Sequence, residues 1–509
     1  MTLLIRNVRI VGGEREYPGS VDVFITGDRI SAIGNFPTKG ADQILDGQGA
    51  YLSPGFIDVN TDSDHYLSLF EHPAQEDFLR QGVTTIIGGN CGSSLAPLIY
   101  GSLESVQKWG DISKVNIDWH TMEEFLAIFE KRPLAVNFGT LVGHATIRRA
   151  IVGDDIRDLT KNELAVLSET LRNAIKEGGL GVSAGLGYVH GARTPYSELK
   201  AIAAIAKEYN GVYSAHLPRS GHEILESVEE TIKLTKETGV KTEISHLMPV
   251  QGFEKQYDAV LQKIDGLPRE IDLNFDIYPS DTMVFPIYTF LPEWAKSGLE
   301  TMVKTLSDDW GSKRILKDLP EVRPDDFILA QAPGNEFLIG RSLRELTAIY
   351  NVADHREALV RLMVGTGLRA VVFYKTVNYD LVRKAILGSR AFIASNAASY
   401  PYSGKALKPE RAVATFPKFL EMIVRGRTMS LETAIRKITS EPAAKFGITE
   451  RGLLKEGNFA DLALFAVDEK AETYGKCIEI KGAIVNGQLV MQEGVFKGQF
   501  PGKALKHKG

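Results

Sequence analysis

The sequence is poor in cysteine, with only Cys91 and Cys477 in 509 residues. Two cysteines cannot form a disulfide framework, which excludes a small secreted scaffold held together by disulfide bonds. We therefore expect a protein of a reducing compartment, the cytoplasm. A cysteine in such a chain is usually a small buried side chain, unless its surroundings make it reactive or metal-binding.

Long apolar runs and a strong excess of one charge are also missing. No apolar run reaches 18 residues, and the first ten residues carry charges inside their apolar run, so neither a membrane span nor a signal peptide is expected. The formal net charge is only −5, which argues against a nucleic-acid-binding surface. The short basic run Lys503–Lys508 is interpreted as a solvated tail.

The middle of the chain alternates apolar, β-branched runs with amphipathic helical patterns. Predicted helices include Thr160–Glu177, Ser197–Tyr209 and Ile224–Thr238. Predicted strands follow the apolar run that opens at Pro54, and they are Val83–Ile87, Ala135–Leu141, Gly181–Ala184, Gly211–Ala215, Lys241–Ser245, Asp272–Ile277, Ala370–Phe373 and Arg390–Ala394. About eight strand–helix units predict an α/β fold of the TIM (β/α)8 barrel type over residues 54–454.

The two ends of the chain have a different pattern. Residues 1–53 and 455–509 both contain short strands separated by turns, and each set alone is too small to bury its own apolar face. We expect them to combine into one small β-sandwich domain. Residues 284–350 break the barrel rhythm with prolines and charges, and they predict an insertion over the barrel mouth.

Three potential metal ligands share one sequence context. Cys91, His216 and His246 each follow a predicted strand, and the carboxyl ends of barrel strands meet at one mouth. A thiolate and two imidazoles suit Zn²⁺ and leave a fourth position for water. The alternative is a buried cysteine and two hydrogen-bonded core histidines, and spacing alone does not decide between them.

A family resemblance adds to this interpretation. Its motifs, in order along most of the chain, are Pro54-Gly55-Phe56-Ile57-Asp58, Gly89-Asn90-Cys91-Gly92, Leu141-Val142-Gly143-His144, Ile244-Ser245-His246-Leu247, Asp276-Ile277-Tyr278-Pro279, Thr415-Phe416-Pro417 and Ala460-Asp461-Leu462. With these motifs the chain resembles the amidohydrolase superfamily, and within it the D-aminoacylase (N-acyl-D-amino-acid deacylase) family. The resemblance implies a metal hydrolase in which Cys91, His216 and His246 bind zinc.

The chain departs from the family pattern at several polar positions. The family's His-x-His pair is replaced by Asn60 and Asp62, and the aspartate that serves as general base and second-site ligand is replaced by Asn396. An amide is a weak zinc ligand and cannot accept a proton at neutral pH. We therefore expect one zinc ion per chain and a different base, with Asp62 or Asp64 as candidates. Asp62 could alternatively bind the metal or serve as a loop carboxylate that accepts backbone N–H groups.

Substrate contacts are assigned to side chains near the predicted mouth. The family lysine after the second histidine is Met248 here, so Arg193 or Arg219 could bind a substrate carboxylate, and Tyr188 could contact substrate. The predicted function is zinc-dependent hydrolysis of a small-molecule amide, an N-acyl amino acid. The alternatives are a catalytically silent binding protein and a hydrolase of cyclic amides or imides. Neither nucleic acid nor membrane is an expected partner, and the oligomeric state, a homo-oligomer included, is left open.

Overall fold

The structure is a computed structural model, and it describes the whole chain except residues 38–39, 101–111, 154, 156, 188–190, 192, 297–298, 401–405 and 508–509. The strands are β1 Thr2–Ile10, β2 Val21–Thr26, β3 Arg29–Gly34, β4 Gln43–Asp46, β5 Tyr51–Pro54, β6 Phe56–Asp58, β7 Val83–Gly88, β8 Asn137–Thr140, β9 Val142–Gly143, β10 Gly181–Gly185, β11 Val212–His216, β12 Lys241–Ile244, β13 Leu273–Ile277, β14 Thr282–Pro286, β15 Phe327–Gln331, β16 Val371–Lys375, β17 Ala391–Ile393, β18 Leu462–Val467, β19 Ile478–Val485, β20 Gln488–Gln492 and β21 Val495–Phe496.

Helices alternate with the strands through the middle of the chain. They are α1 Ser68–Glu71, α2 Glu76–Leu79, α3 Met122–Lys131, α4 His144–Val152, α5 Lys161–Lys176, α6 Tyr196–Glu208, α7 Ile224–Thr238, α8 Glu254–Asp265, α9 Leu299–Ser307, α10 Asp309–Asp318, α11 Leu343–Ile349, α12 His355–Gly365, α13 Tyr379–Leu387, α14 Glu410–Gly426, α15 Leu431–Lys437 and α16 Ser440–Lys445. Among the helices that the structure describes, none is long and apolar enough to cross a bilayer.

Parallel strands form the predicted barrel. Pairing runs from β6 through β7 to β8, and from β9 through β10, β11, β12 and β13 to β17. Only Leu141 separates β8 from β9. The last strand returns to the first, because the Asn396 amide donates to the Asn60 carbonyl at 2.9 Å and Thr61 bridges Ala397 in parallel. The carboxyl ends of these strands therefore surround one mouth.

Local sequence signals set the helix starts around this barrel. The side chain of Thr160 accepts from the Glu163 amide, and the Glu163 carboxylate accepts from the Thr160 amide. This capping box satisfies N–H groups that the first helical turn leaves unpaired, so α5 begins at Lys161. The predicted helix Thr160–Glu177 matches it to within one residue at each end.

One predicted barrel strand, Ala370–Phe373, lies elsewhere. It is part of β16, the central strand of a three-stranded antiparallel sheet between β14 and β15. The prediction was wrong because a short apolar run has the same pattern in either kind of sheet. This sheet belongs to a second compact unit, residues 280–379 with 401–410, which begins before and ends after the predicted insertion 284–350. Its placement over the mouth stays a prediction.

Strands from both ends of the chain form one mixed sheet. β5 pairs with β18 in antiparallel fashion, and β1 pairs with β2, β4 and β5. The apolar residues beneath this sheet come from both ends and include Leu3, Val23, Leu52, Leu462 and Ile484. Neither end could bury this surface alone, which explains why the domain is discontinuous.

The basic C-terminal run is not a solvated tail. The Phe138 amide donates to the Lys503 carbonyl at 3.0 Å, and the Leu505 amide donates to the Phe138 carbonyl at 2.7 Å. The tail therefore pairs with barrel strand β8, while the side chains of Lys503 and Lys506 stay exposed. Charge alone predicts a free tail, but the apolar residues Ala504 and Leu505 lie inside the basic run.

Candidate metal centre and active site

Three barrel strands bring the predicted ligands together. His216 is the last residue of β11, His246 lies two residues beyond β12, and Cys91 lies three residues beyond β7. The Cys91 Sγ atom is 3.5 Å from His216 Nδ1 and 3.5 Å from His246 Nε2, and these two nitrogens are 2.8 Å apart. Positions that are far apart in sequence thus form one triangle of donor atoms, the donor triangle.

The donor triangle fits a tetrahedral zinc ion. On zinc, with Zn–S near 2.3 Å and Zn–N near 2.0–2.1 Å, a sulfur and a nitrogen ligand lie roughly 3.5 Å apart and two nitrogens roughly 3.3 Å apart. Both sulfur–nitrogen distances match, and the two nitrogens are somewhat closer. Within the described part of the chain, Cys91, His216 and His246 are the set of His, Cys, Asp and Glu side chains whose donor atoms all lie within 4.8 Å of one another. A fourth position is left for water.

The backbone at two ligands adopts an uncommon conformation. Cys91 has φ 54° and His246 has φ 36°, both in the left-handed region that costs energy for residues other than glycine. Nearby polar side chains hold these turns, because Asp276 Oδ1 accepts from the His246 amide at 3.0 Å and Ser183 Oγ accepts from the Gly92 amide at 3.0 Å. Burial lowers the pKa of His246, which favours the neutral imidazole that metals bind.

Asp62 lies beside the donor triangle as an ionised carboxylate. Its Oδ1 atom is 3.2 Å from His65 Nδ1. Burial raises the pKa of Asp62, but the hydrogen bond and charge of His65, together with Arg411 and His246, outweigh it, so the pKa lies below its usual value. Asp62 does not join the set of donor atoms defined above, so the geometry favours a proton acceptor over a metal ligand.

Asp64 points to other partners. Its Oδ2 atom accepts from the Gly89 amide at 2.6 Å, and its Oδ1 atom accepts from the His65 amide at 2.9 Å. Strand β6 ends at Asp58, so the alternation that would have aligned the side chains of Asp62 and Asp64 does not continue. Asp64 therefore holds the turn that leads to Cys91, and of the two carboxylates only Asp62 is suited to act on substrate.

Asn396 connects Asp62 to an arginine that the sequence did not single out. With its amide oriented toward complementary partners, Asn396 donates to Asp62 Oδ2 at 3.3 Å and accepts from Arg411 Nη1 at 2.9 Å. The Arg411 guanidinium carbon lies 5.1 Å from the centre of the Tyr278 ring. Its Nε atom is buried and has no hydrogen-bond partner among the described residues. A partly buried cation with a buried, unused N–H group is suited to bind an anionic ligand.

Comparisons with known proteins show what the whole chain is similar to. No family model matches the chain. The D-aminoacylase of Alcaligenes xylosoxydans xylosoxydans is 28% identical over 518 residues, which cover 99% of this chain and 97% of that protein. The N-acyl-D-glutamate deacylase of Bordetella bronchiseptica, solved with zinc and a phosphonate mimic of the tetrahedral intermediate, has a TM-score of 0.80 at 25% identity over 99% of both chains.

The chain therefore has homologues named D-aminoacylase and N-acyl-D-amino-acid deacylase, and its fold is similar to that of a D-aminoacylase described as an amidohydrolase. The resemblance and the fold class predicted from the sequence are thereby confirmed. A further solved structure, of a D-aminoacylase with a binuclear metal centre, has a TM-score of 0.77 at 26% identity over 99% of both chains. In that enzyme one metal ion activates and a second attenuates. The match therefore supports a metal cofactor but does not set the number of ions.

The substrate contacts predicted from the sequence are Tyr188, Arg193 and Arg219. Tyr188 lies outside the described residues. Arg193 is exposed, and Arg219 forms a 3.4 Å ion pair with Glu223 at the surface, where its side chain is 45% exposed. Their assignment to substrate stays a prediction that the geometry does not favour.

Sequence reasoning missed His65 and Arg411, although weak signals were present. Arg411 lies one helical turn before the Thr415-Phe416-Pro417 motif, in the first turn of α14. A cation at a helix N-terminus opposes the helix dipole, which suggests that another interaction keeps it there. His65 directly follows Asp64, but no periodicity identifies its partner.

Proposed function

We propose that this protein is a mononuclear zinc hydrolase that cleaves the amide bond of N-acyl amino acids. The observation that carries the proposal is the donor triangle of Cys91, His216 and His246 with the ionised Asp62 beside it. The names of its relatives, D-aminoacylase and N-acyl-D-amino-acid deacylases, support N-acyl-D-amino acids as the substrate class.

The donor triangle and Asp62 divide the chemistry between them. Zinc held by the donor triangle would polarise the amide carbonyl and acidify a bound water. Asp62 is ionised at neutral pH and accepts the proton of the attacking water, then delivers it to the leaving nitrogen. Asn396 cannot take this role, because an amide has no basic lone pair at neutral pH. Its hydrogen bond instead orients the Asp62 carboxylate.

Arg411 is suited to bind the carboxylate of the substrate. A guanidinium offers several N–H groups in one plane and matches a carboxylate better than a lysine does. Arg411 uses Nη1 for Asn396 and has a buried Nε without a partner among the described residues. Anchoring the substrate there would place its amide near Asp62, because Asn396 contacts both side chains.

One ion per chain is supported by the residues at the family's second-site positions. Asn60 donates its amide to Asp276 Oδ2 at 3.0 Å, so its N–H end faces a carboxylate. Asp62 is bound by both Asn396 and His65. A set of two amides and one carboxylate that is already hydrogen-bonded is weak for a second zinc ion.

Metal analysis combined with an N-acyl amino acid panel tests the proposal. We expect about one zinc per chain, hydrolysis of at least one N-acyl-D-amino acid, and loss of both in Cys91→Ser. Cys477→Ser is the matched control, because Cys477 is equally buried but precedes β19 in the terminal sheet. A chain that binds zinc yet hydrolyses no amide would support the silent binding protein. Turnover restricted to cyclic amides or imides would support the third alternative.

A further inference from the structure

His65 is a buried histidine whose two ring nitrogens both face acceptors. The residue is 1% exposed. Its Nε2 atom lies 3.1 Å from the Ser93 carbonyl oxygen, and its Nδ1 atom lies 3.2 Å from Asp62 Oδ1. A carbonyl oxygen only accepts hydrogen bonds, so Nε2 carries a hydrogen. A neutral ring would then direct the Nδ1 lone pair at a carboxylate oxygen, which is repulsive. With Asp62 ionised, both nitrogens are satisfied only in the imidazolium form.

The charges around His65 favour the same form. Asp62 and Asp64 are the carboxylates that act on it, and the Asp64 Oδ1 atom also accepts the His65 backbone amide. Arg411 and His246 lie on the other side of Asp62 and act on that carboxylate. Burial lowers the pKa of His65, but the charges of Asp64 and Asp62 outweigh it and raise the pKa to about 9.

We infer that His65 is a fixed cation of this site, an imidazolium that holds Asp62 as an oriented carboxylate. Its positive charge balances the negative charge of Asp62, which would otherwise attract a second metal ion. His65 is thus a positioning residue, because it acts through Asp62. The related D-aminoacylase has a binuclear metal centre. In this chain a cation already occupies one side of Asp62, while Asn396 occupies the other. A second metal ion would have to displace a charge-assisted hydrogen bond and approach a like charge.

Two consequences follow for metal binding and for pH dependence. The chain should bind one zinc ion even when zinc is in large excess, because its internal cation leaves no net negative charge at Asp62. Removing the His65 charge should raise the pKa of Asp62, since an adjacent opposite charge lowers a carboxyl pKa by about 1–3. The acidic limb of kcat/KM should then move to higher pH by a similar amount.

The first test is nitrogen NMR of zinc-loaded protein labelled with ¹⁵N-histidine. We expect an imidazolium resonance at neutral pH that is lost in His65→Gln. If that variant is insoluble, the change that Asp62→Asn causes in the same resonance provides the assignment. A neutral ring for His65 at neutral pH would overturn the inference. This measurement needs no substrate, so it stands even if the proposed function fails.

Zinc titration and pH profiles complete the test. The unsubstituted chain should bind one ion per chain under excess zinc, and a second ion held with site affinity would contradict the inference. The pH profile rests on the proposed function, and there His65→Gln should move the acidic limb. His144→Gln is the matched control, since His144 is a buried histidine 2.7 Å from the Glu198 carboxylate, and it should leave the limb in place. Equal shifts in both variants would point to a merely structural effect.

Discussion

Substitution of Asp62 by Asn should separate catalysis from metal binding. The change keeps the size of the side chain and removes only its basicity and charge. Because a positioned general base contributes about 10²–10⁴-fold to a rate, kcat/KM should fall by about that factor. Zinc content should stay near that of the unsubstituted chain, because the Asp62 oxygens do not belong to the donor triangle.

The same substitution should also lower stability. His65 would lose the carboxylate that lies 3.2 Å from its Nδ1 atom and would keep a buried charge without this partner. Breaking a buried ion pair by removing one partner costs about 3–5 kcal/mol. Since the Asp62 side chain is 14% exposed, solvent screens part of this cost, and we expect about 3 kcal/mol or less.

Three measurements on the purified Asp62→Asn variant test its expected effects on catalysis, zinc content and stability. These are kcat/KM on the best substrate of the panel, zinc per chain by atomic emission, and the free energy of unfolding from urea denaturation. The matched variant is Asp64→Asn, whose carboxylate accepts the Gly89 amide at 2.6 Å and so supports the Cys91 turn. It should weaken zinc affinity, whereas Asp62→Asn should not. An Asp62→Asn enzyme with full zinc and unreduced kcat/KM would refute the role of Asp62 as base.

Three further predictions concern substrate binding, pH and the Cys91 turn. Arg411→Met should raise KM by about 10–100-fold, because a hydrogen bond to a charged group contributes about 1.5–3 kcal/mol. The control Arg425→Met lies on the same helix, where Arg425 pairs with Glu421, and it should leave KM unchanged. Equal effects of the two substitutions would show that Arg411 has a structural role only. The pKa of His65 is raised from 6.5 to about 9, so its stabilisation is complete below pH 6.5 and is lost as pH rises through about 9. The loss is about 3 kcal/mol in the free energy of unfolding, and it should be absent in His65→Gln. Gly92→Ala should weaken zinc affinity, because the added Cβ would lie 2.5 Å from the Gly185 amide nitrogen. The control Gly19→Ala, at a similar φ in open space, should cost only the backbone strain of about 1 kcal/mol. Unchanged zinc affinity in Gly92→Ala would contradict this account of the turn.

The barrel and its donor triangle could be predicted because both follow from local patterns. An apolar strand that ends in a polar residue places that residue at the barrel mouth, whichever strand it is, so Cys91, His216 and His246 could be assigned without knowing their distances. Strand direction and sheet membership could not be predicted in the same way. The run Ala370–Phe373 is equally apolar in a barrel and in the antiparallel sheet where β16 lies.

The candidate base and its surroundings were only half predictable, because they depend on how one turn folds. Asp62 and Asp64 are two residues apart and would be equivalent on a continuing strand. The chain leaves the extended conformation after the bridge at Thr61, so one carboxylate turns to His65 and the other to the Gly89 amide. His65 reaches Asp62 only because of this turn, and Arg411 is connected to Asp62 only through Asn396. The substitutions that remove the family's base therefore do not leave the site without charge, since a carboxylate, an imidazolium and a guanidinium are linked by hydrogen bonds beside the donor triangle. That arrangement favours an active hydrolase over a silent one, because a binding protein would have no need to keep a buried ion pair next to the donor triangle.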